Sequence, residues 1–207
     1  MSLHADALRV LRGWTAPDPR QEQLRQRYVA HLEAHPDGMT RACSPEHVTA
    51  SVLVLDPART RLLLTHHAKS GRWFQLGGHA EPVDATLAAA ALREAVEESG
   101  LAATDLDLDP EPVLLDAHPV PFCGDGTTWH LDVMFRATAS EDAVPAVSAE
   151  SLDVRWWPLD ELPNPELGPF AARALARDQS SSSPGGGSSR AAVEKPMRNP
   201  LARSAWG

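Results

Sequence analysis

The sequence predicts a layered α/β fold, in which helices pack on a β-sheet, with a helical extension at the N-terminus. Two observations support this. Strand-like segments alternate with a strongly helical one between about residues 45 and 165. The residues before them show helical spacing instead. With 207 residues, 43% of them hydrophobic and 23% charged, the chain has the size of one domain with extensions.

The N-terminal extension is expected to span residues 1–40. Segments 3–13 and 20–34 read as helices, and Leu24, Tyr28 and Leu32 recur at helical spacing in the second. The turn-rich sequence HPDGMT follows it. We therefore expect two helices that pack on the following domain as a lid or scaffold.

The main domain is expected to span residues 41–178. Segments 48–56 and 61–67 predict a β-hairpin, segment 72–76 a strand that runs into Gly77-Gly78, and the stretch from about 85 to 99 a helix with Asp84 as its N-cap. The remaining elements are strands at 111–120, 127–138 and 152–159 and a helix at 165–178. Residues 179–207 form a Ser/Gly-rich linker and a tail that we expect to be flexible.

Charge and composition exclude several classes of partner. The formal net charge of −9 argues against binding a nucleic-acid polymer or an anionic membrane.

The N-terminus lacks the apolar core of a signal peptide, and no apolar run is long enough to span a bilayer. Cys43 and Cys123 are not in a C-x-x-C pair, which predicts neither a disulfide nor a thiolate zinc site. A cytoplasmic protein is the expected outcome.

Three carboxylates cluster in the sequence REAVEESGL. Glu94, Glu97 and Glu98 share one helix face, and Gly100 predicts that the helix ends directly after them. Each like-charged pair costs about 0.2–0.5 kcal/mol, and the helix dipole adds a further penalty at this end. Either the cluster is a solvated face or it binds a cation. Oxygen ligands favour Mg²⁺ or Mn²⁺, and Mg²⁺ sites of this kind usually include substrate phosphates, which implies a small phosphorylated substrate.

The segment GGHAEPVDATLAAAALREAVEESGL, residues 77–101, resembles the signature box of the Nudix hydrolases. Its second half, from Arg93 to Leu101, matches the family pattern in full. Its first half differs, because Asp84 replaces the first glutamate and eight residues rather than seven separate it from Arg93. The resemblance implies an α/β/α sandwich around a mixed sheet. It also implies Mg²⁺- or Mn²⁺-dependent hydrolysis of a diphosphate linked to another moiety, such as a nucleoside.

The resemblance also implies roles for individual residues. Glu97 and Glu98 correspond to the principal metal ligands, Glu94 to a further ligand or to the group that orients water, and the Gly78 carbonyl to an additional ligand. Arg93 corresponds to the residue that holds a glutamate in place.

Other candidate residues lie outside the second half of the box. Glu94 and Glu150 are both candidates for the catalytic base, although Glu150 also reads as an ordinary loop glutamate. His130 and Asp132 share one face of a strand, where they contact substrate, orient the metal-binding helix or form a structural hydrogen bond. His79 follows the glycine pair directly and is a candidate contact for phosphate oxygens.

Three functions compete on these observations. The first is a hydrolase of a nucleoside-diphosphate derivative or a related small diphosphate. The second is a non-catalytic module of the same fold that binds or senses a nucleotide; the intact second half of the box argues against it, and the altered first half leaves it open. The third is a structural domain with a charged helix. Analogy with the family leaves a homodimer possible, and the sequence does not specify the substrate.

Overall fold

The computed structural model describes residues 1–68, 70–123, 126–148 and 151–181. Glu150 and residues 182–207 of the predicted linker and tail lie outside the described residues. The helices are α1 (Leu3–Gly13), α2 (Pro19–Ala34), α3 (Leu87–Ser99) and α4 (Leu167–Ser181), with a short 3-10 helix at Ala103–Asp105. The strands are β1 (Glu46–Leu55), β2 (Arg61–His67), β3 (Arg72–Phe74), β4 (Leu76–His79), β5 (Leu106–Cys123), β6 (Gly126–Ala139) and β7 (Ser151–Pro158).

Seven strands in the described part of the chain form one mixed sheet. Its main path runs β3-β2-β1-β6-β5, while β4 pairs with β1 and β7 pairs with β2. Strands β1 and β6 are parallel, and the other pairs are antiparallel. The predicted β1–β2 hairpin is confirmed, since Leu55 lies opposite Leu62. The central parallel pair brings residues about 80 positions apart in sequence into direct register.

Two strand predictions differ from the structure. The segment predicted as one strand at 72–76 is two strands, β3 and β4, separated at Gln75. β3 pairs with β2 whereas β4 pairs with β1, so the chain changes partner between them. β5 begins at Leu106 rather than at residue 111, and its register with β6 shifts between Asp109 and Leu114. Gly77 and Gly78, which follow the predicted strand, are themselves part of β4.

Helices cover both faces of the sheet. Ala50, Val52 and Val54 of β1 belong to an apolar core shared with α1, α2 and α3. The intervening Leu53 and Leu55 belong to a second core shared with α4. Successive strand residues point to opposite faces, so the run of buried residues in β1 serves both layers. The architecture is the expected α/β/α sandwich around a mixed sheet.

The N-terminal helices pack directly on this sheet. The Trp14 indole donates a hydrogen bond to the Pro112 carbonyl (2.7 Å). The Gln21 amide donates to the Leu115 carbonyl (2.9 Å) and accepts from the Leu115 N–H (2.7 Å). The extension therefore completes the hydrophobic core of the domain and meets backbone groups of β5.

The predicted N-cap of α3 is wrong. Thr86 is the N-cap, and its hydroxyl accepts from the Ala89 N–H (3.1 Å). The Leu87 N–H, at the first helical position, donates to Asp6 of α1 (2.9 Å). Asp84 is buried outside the helix and pairs with Arg93, because a buried carboxylate needs a charged partner.

Among the described residues, none of the helices combines the length and the apolar character that crossing a bilayer requires.

Candidate metal-binding and catalytic site

The C-terminal half of α3 lies close to β4. Ala90, Ala91 and Ala95 are fully buried, so the small side chains on this face allow the helix backbone to approach the sheet. The helix ends where the sequence predicts, with Gly100 in the left-handed conformation (φ 68°) and its N–H bonded to the Val96 carbonyl (2.9 Å). The acidic cluster thus lies in the last two turns, beside the paired glycines of β4.

Arg93 connects the groups of this site. Its guanidinium donates to both carboxylate oxygens of Asp84 (3.1 Å each), to Glu94 (3.1 Å) and to Glu97 (2.9 Å). It also donates to the backbone carbonyl of His79 (2.8 Å). The pKa of Arg93 is raised, chiefly by its hydrogen bonds to Asp84. One permanent cation therefore offsets part of the repulsion among three carboxylates and attaches the helix to β4.

The two glycines of β4 are needed for close approach rather than for an unusual backbone conformation. A Cβ on Gly78 would lie 2.7 Å from a carboxylate oxygen of Glu94. A Cβ on Gly77 would overlap Ser51 and lie 2.7 Å from the Ala50 carbonyl oxygen. Glu98 is only 6% exposed and accepts a hydrogen bond from the Gly77 N–H (2.8 Å). The glycines thus form a cradle for the carboxylates of α3.

The donor atoms of this cradle fit a hard divalent cation. Glu94 lies against Gly78, Glu98 is fixed by Gly77, and Glu97 is half exposed, its side chain 54% accessible. All the candidate donors are oxygens, which Mg²⁺ and Mn²⁺ prefer over nitrogen or sulfur. Because Glu97 is exposed while Glu94 and Glu98 are largely covered, one side of the cluster is open to solvent.

Asp132 lies in a hydrogen-bonded network on the α4 side of the sheet. Its carboxylate accepts from Ser51 (2.6 Å), Thr49 (3.1 Å) and Gln75 (3.4 Å). Burial raises the pKa of Asp132, while these hydroxyl donors oppose that shift. The contacts support the structural alternative for this residue, and its contact with substrate stays a prediction.

His79 and His130 belong to a compact group with His47 and Cys123. Ring centroids are 5.0 Å apart for His47 and His79, 5.0 Å for His47 and His130, and 4.9 Å for His79 and His130. Burial and the neighbouring imidazoles lower the pKa of His130 to about 3. Burial likewise lowers the pKa of His47. The structure therefore places these two predicted substrate residues, His79 and His130, next to each other in one imidazole cluster.

Sequence reasoning missed three residues in this region. Asp84 holds Arg93, a role that its alignment with the acidic position of the box could have suggested. His47 and Cys123 join His79 and His130 only because of strand register, and no local motif marks them. The predicted base Glu150 lies outside the described residues.

The fold and the site define a class of α/β/α domain in which an acidic helix lies beside a strand with paired glycines. The chain belongs to the Nudix family, since the sequence model of the NUDIX domain matches residues 45–178. No curated protein sequence matches it.

Solved structures share the fold. A Caenorhabditis elegans Ap4A hydrolase in a binary complex is 17% identical, with 64% of this chain and 98% of that chain covered and a TM-score of 0.52. The NUDIX domain of Shewanella oneidensis NrtR, cocrystallised with ADP ribose, is 19% identical and has a TM-score of 0.50. The match covers 66% of this chain and 91% of that chain. At these identities the likeness shows the fold alone.

Proposed function

We propose that the protein is a divalent-metal-dependent hydrolase that cleaves a phosphoanhydride bond by water attack. Its substrate would be a nucleoside-diphosphate-linked or related small diphosphate compound. The observation that carries the proposal is the Arg93 network, which holds Glu94 and Glu97 beside the cradle of Gly77 and Gly78. A helix that keeps three carboxylates at its unfavourable end gains from a bound cation.

The proposed ligands of Mg²⁺ or Mn²⁺ are Glu97, Glu98, Glu94 and the Gly78 carbonyl. When bound, such an ion supplies positive charge for the diphosphate oxygens and acidifies coordinated water. Arg93 is a positioning residue, because it holds the glutamates and the His79 carbonyl in fixed relation. Asp84 fixes the guanidinium in turn.

Proton removal from the attacking water requires a carboxylate within hydrogen-bond reach of it. Glu94 and Glu150 are the proposed candidates. Glu94→Gln and Glu150→Gln would separate them: the variant that lacks the base loses the acidic limb of the pH–rate profile, while loss of a ligand raises the metal concentration needed for half-maximal activity.

The first experiment measures product release from a panel of diphosphates with Mg²⁺, with Mn²⁺ and with EDTA. ADP-ribose and Ap4A enter the panel first because the two fold neighbours are a domain bound to ADP ribose and an Ap4A hydrolase. Nucleoside triphosphates, nucleotide sugars, NADH and coenzyme A complete it. We expect metal-dependent turnover of one class. Metal-dependent binding without turnover would instead favour the nucleotide-sensing module. The altered first half of the box is compatible with that alternative.

The critical variant is Glu98→Gln. We expect turnover to fall at least ~100-fold with the fold retained, because the buried carboxylate loses its charge but keeps its shape. Glu161→Gln, an exposed glutamate in the loop after β7, is the matched control. Near-normal activity in Glu98→Gln, with a native circular dichroism spectrum, would remove Glu98 from the site.

We also propose a cytoplasmic location. Cys43 and Cys123 are free thiols, and the reducing cytoplasm keeps thiols in this state. The homodimer expected by analogy is to be tested by light scattering on the purified chain.

A further inference from the structure

A second group of potential metal ligands lies on the opposite face of β4 from the carboxylates. It comprises His47 of β1, His79 of β4, Cys123 of β5 and His130 of β6, and their ligand atoms all lie within 4.8 Å of one another. Strand register brings them together: His47 lies directly opposite His130, and His79 lies opposite Thr49, two residues further along β1. Gly78 faces Glu94, and the next residue, His79, points to the other face.

The distances within the cluster match those between ligands of one tetrahedral zinc ion. With Zn–S near 2.3 Å and Zn–N near 2.0–2.1 Å, a sulfur and a nitrogen on the same ion lie about 3.6 Å apart. The Cys123 Sγ is 3.5 Å from Nε2 of His79 and 3.8 Å from Nε2 of His47. Side-chain adjustments of about 1 Å would bring the longest separation to the tetrahedral value.

Two polar atoms around the cluster are placed as zinc ligation requires. The His47 Nδ1 lies 3.0 Å from the Cys43 carbonyl, so this nitrogen is the donor and Nε2 faces the cluster with its lone pair. The Nε2 of His130 is buried and has no hydrogen-bond partner among the described residues. An orphaned buried nitrogen is costly and indicates a missing ligand, water or ion. The other three potential ligands lie around it.

We propose that His47, His79, Cys123 and His130 bind one Zn²⁺ ion in a closed tetrahedral site. Three imidazoles and one thiolate suit Zn²⁺ rather than the hard cations of the carboxylate site. Four protein ligands leave no open position for a substrate, so the ion is structural. The assignment replaces the predicted substrate contacts of His79 and His130. It also replaces the expectation that a chain without a C-x-x-C pair lacks a thiolate zinc site.

The ion would connect four strands at one end of the sheet. Cys123 lies at the end of β5, where it is paired with Gly126 of β6, so the ion would hold the end of β5 against β1 and β4. β4 also carries Gly77 and Gly78, against which the carboxylates of α3 lie. Zinc binding would therefore stabilise the strand on which the carboxylate site is built.

The test uses the purified full chain after removal of any affinity tag. Zinc content is measured by mass spectrometry of the metal-loaded protein, and Co²⁺ replaces Zn²⁺ as a spectroscopic probe. We expect one equivalent of tightly held zinc that excess Mg²⁺ does not displace. The cobalt form should show intense tetrahedral d–d bands and a thiolate-to-cobalt charge-transfer band.

Variants locate the site. Cys123→Ser should lose the charge-transfer band, and His130→Ala should weaken zinc affinity at least ~100-fold. Cys43→Ser and His118→Ala are matched controls, because Cys43 contacts the proposed ligand His47 only through its backbone carbonyl and the His118 ring packs 5.7 Å from His130 outside the ligand set. Both should bind zinc as the wild type does.

The result that would overturn the proposal is substoichiometric zinc in the wild type, or a thiolate–cobalt band that persists in Cys123→Ser. If Cys123→Ser does not fold, the wild-type cobalt spectrum and His130→Ala decide the question. None of these measurements depends on hydrolase activity, so the zinc site and the proposed function fail independently.

Discussion

Arg93 shows how one residue organises the candidate active site. Its side chain contacts Asp84, Glu94, Glu97 and the carbonyl of His79, so it spans the loop, the helix and the strand. A planar guanidinium with five fixed donors is suited to this role, whereas a lysine could not reach all four acceptors at once. The Arg-Glu pair of the motif is therefore a unit of positioning as well as of charge.

Asp84→Asn and Thr86→Ala test whether Asp84 positions Arg93 or caps the N-terminus of α3. Asp84→Asn should lower kcat roughly 10–100-fold, because it loosens the residue that positions the glutamates, and should also cost about 1–3 kcal/mol of unfolding free energy, because a buried charged pair is lost. Thr86→Ala should cost about 1 kcal/mol of unfolding free energy with kcat nearly unchanged, because it removes the N-cap. Steady-state kinetics and urea unfolding of both variants test this. The reverse pattern would restore Asp84 as the cap.

The carboxylate of Asp56 stabilises the β1–β2 turn through several hydrogen bonds. Asp56 accepts from the N–H groups of Thr60 (2.7 Å) and Arg61 (2.8 Å), and from the Arg61 guanidinium (3.1 Å). Burial raises the pKa of Asp56, but these hydrogen bonds outweigh it and lower the pKa below 3.8. The ionised side chain thus adds to the backbone hydrogen bond from the Asp56 N–H to the Arg61 carbonyl (3.1 Å), across a turn in which Arg59 has a positive φ of 57°.

The lowered pKa of Asp56 gives a stability difference that depends on pH. Above pH 3.8 both folded and unfolded states are ionised, so the full stabilisation is present. As the pH falls through this value the unfolded state binds the proton first, and stability decreases. Asp56→Asn should be about 1–2 kcal/mol less stable at pH 6, with the difference shrinking towards pH 3.

Urea unfolding at pH 6, 5, 4 and 3 measures this difference. Asp107→Asn removes an exposed carboxylate and is the matched control, for which we expect a change within about 0.5 kcal/mol. A difference between wild type and Asp56→Asn that stays constant with pH would contradict the assignment.

At the scale of the whole molecule, the N-terminal helices belong to the core although the family match begins at residue 45. Tyr28 is fully buried, and its hydroxyl donates to the Asp132 carbonyl (3.3 Å). Burial raises its pKa strongly. Asp6 accepts from the first N–H of α3, so the extension also supports the helix that carries the acidic cluster.

Gln21→Ala tests this integration. Gln21 is 5% exposed and pairs with both backbone groups of Leu115, so its removal leaves a buried donor and acceptor unsatisfied. We expect a loss of about 1–3 kcal/mol in the unfolding free energy. Gln23→Ala, on the exposed side of α2, should change it by less than about 0.5 kcal/mol. Equal values for the two variants would show that the extension is only loosely attached.

The sequence by itself determined the fold class, most of the elements and the acidic face of α3. These depend on local patterns: helical spacing, strand alternation, the Gly100 stop and the run of glutamates after Arg93. Each of these patterns lies within a few residues, so it predicts local structure without knowledge of what the segment packs against.

Only the tertiary structure decided which distant groups meet. The pairing of Asp84 with Arg93 depended on burial, and the change of partner at Gln75 depended on which strand edge was available. The grouping of His47 with Cys123 depends on the register of β1, β5 and β6, and no short stretch of sequence determines that register. Register is set by the alignment of whole strands through the core, and a shift of one residue would turn every one of these side chains to the other face.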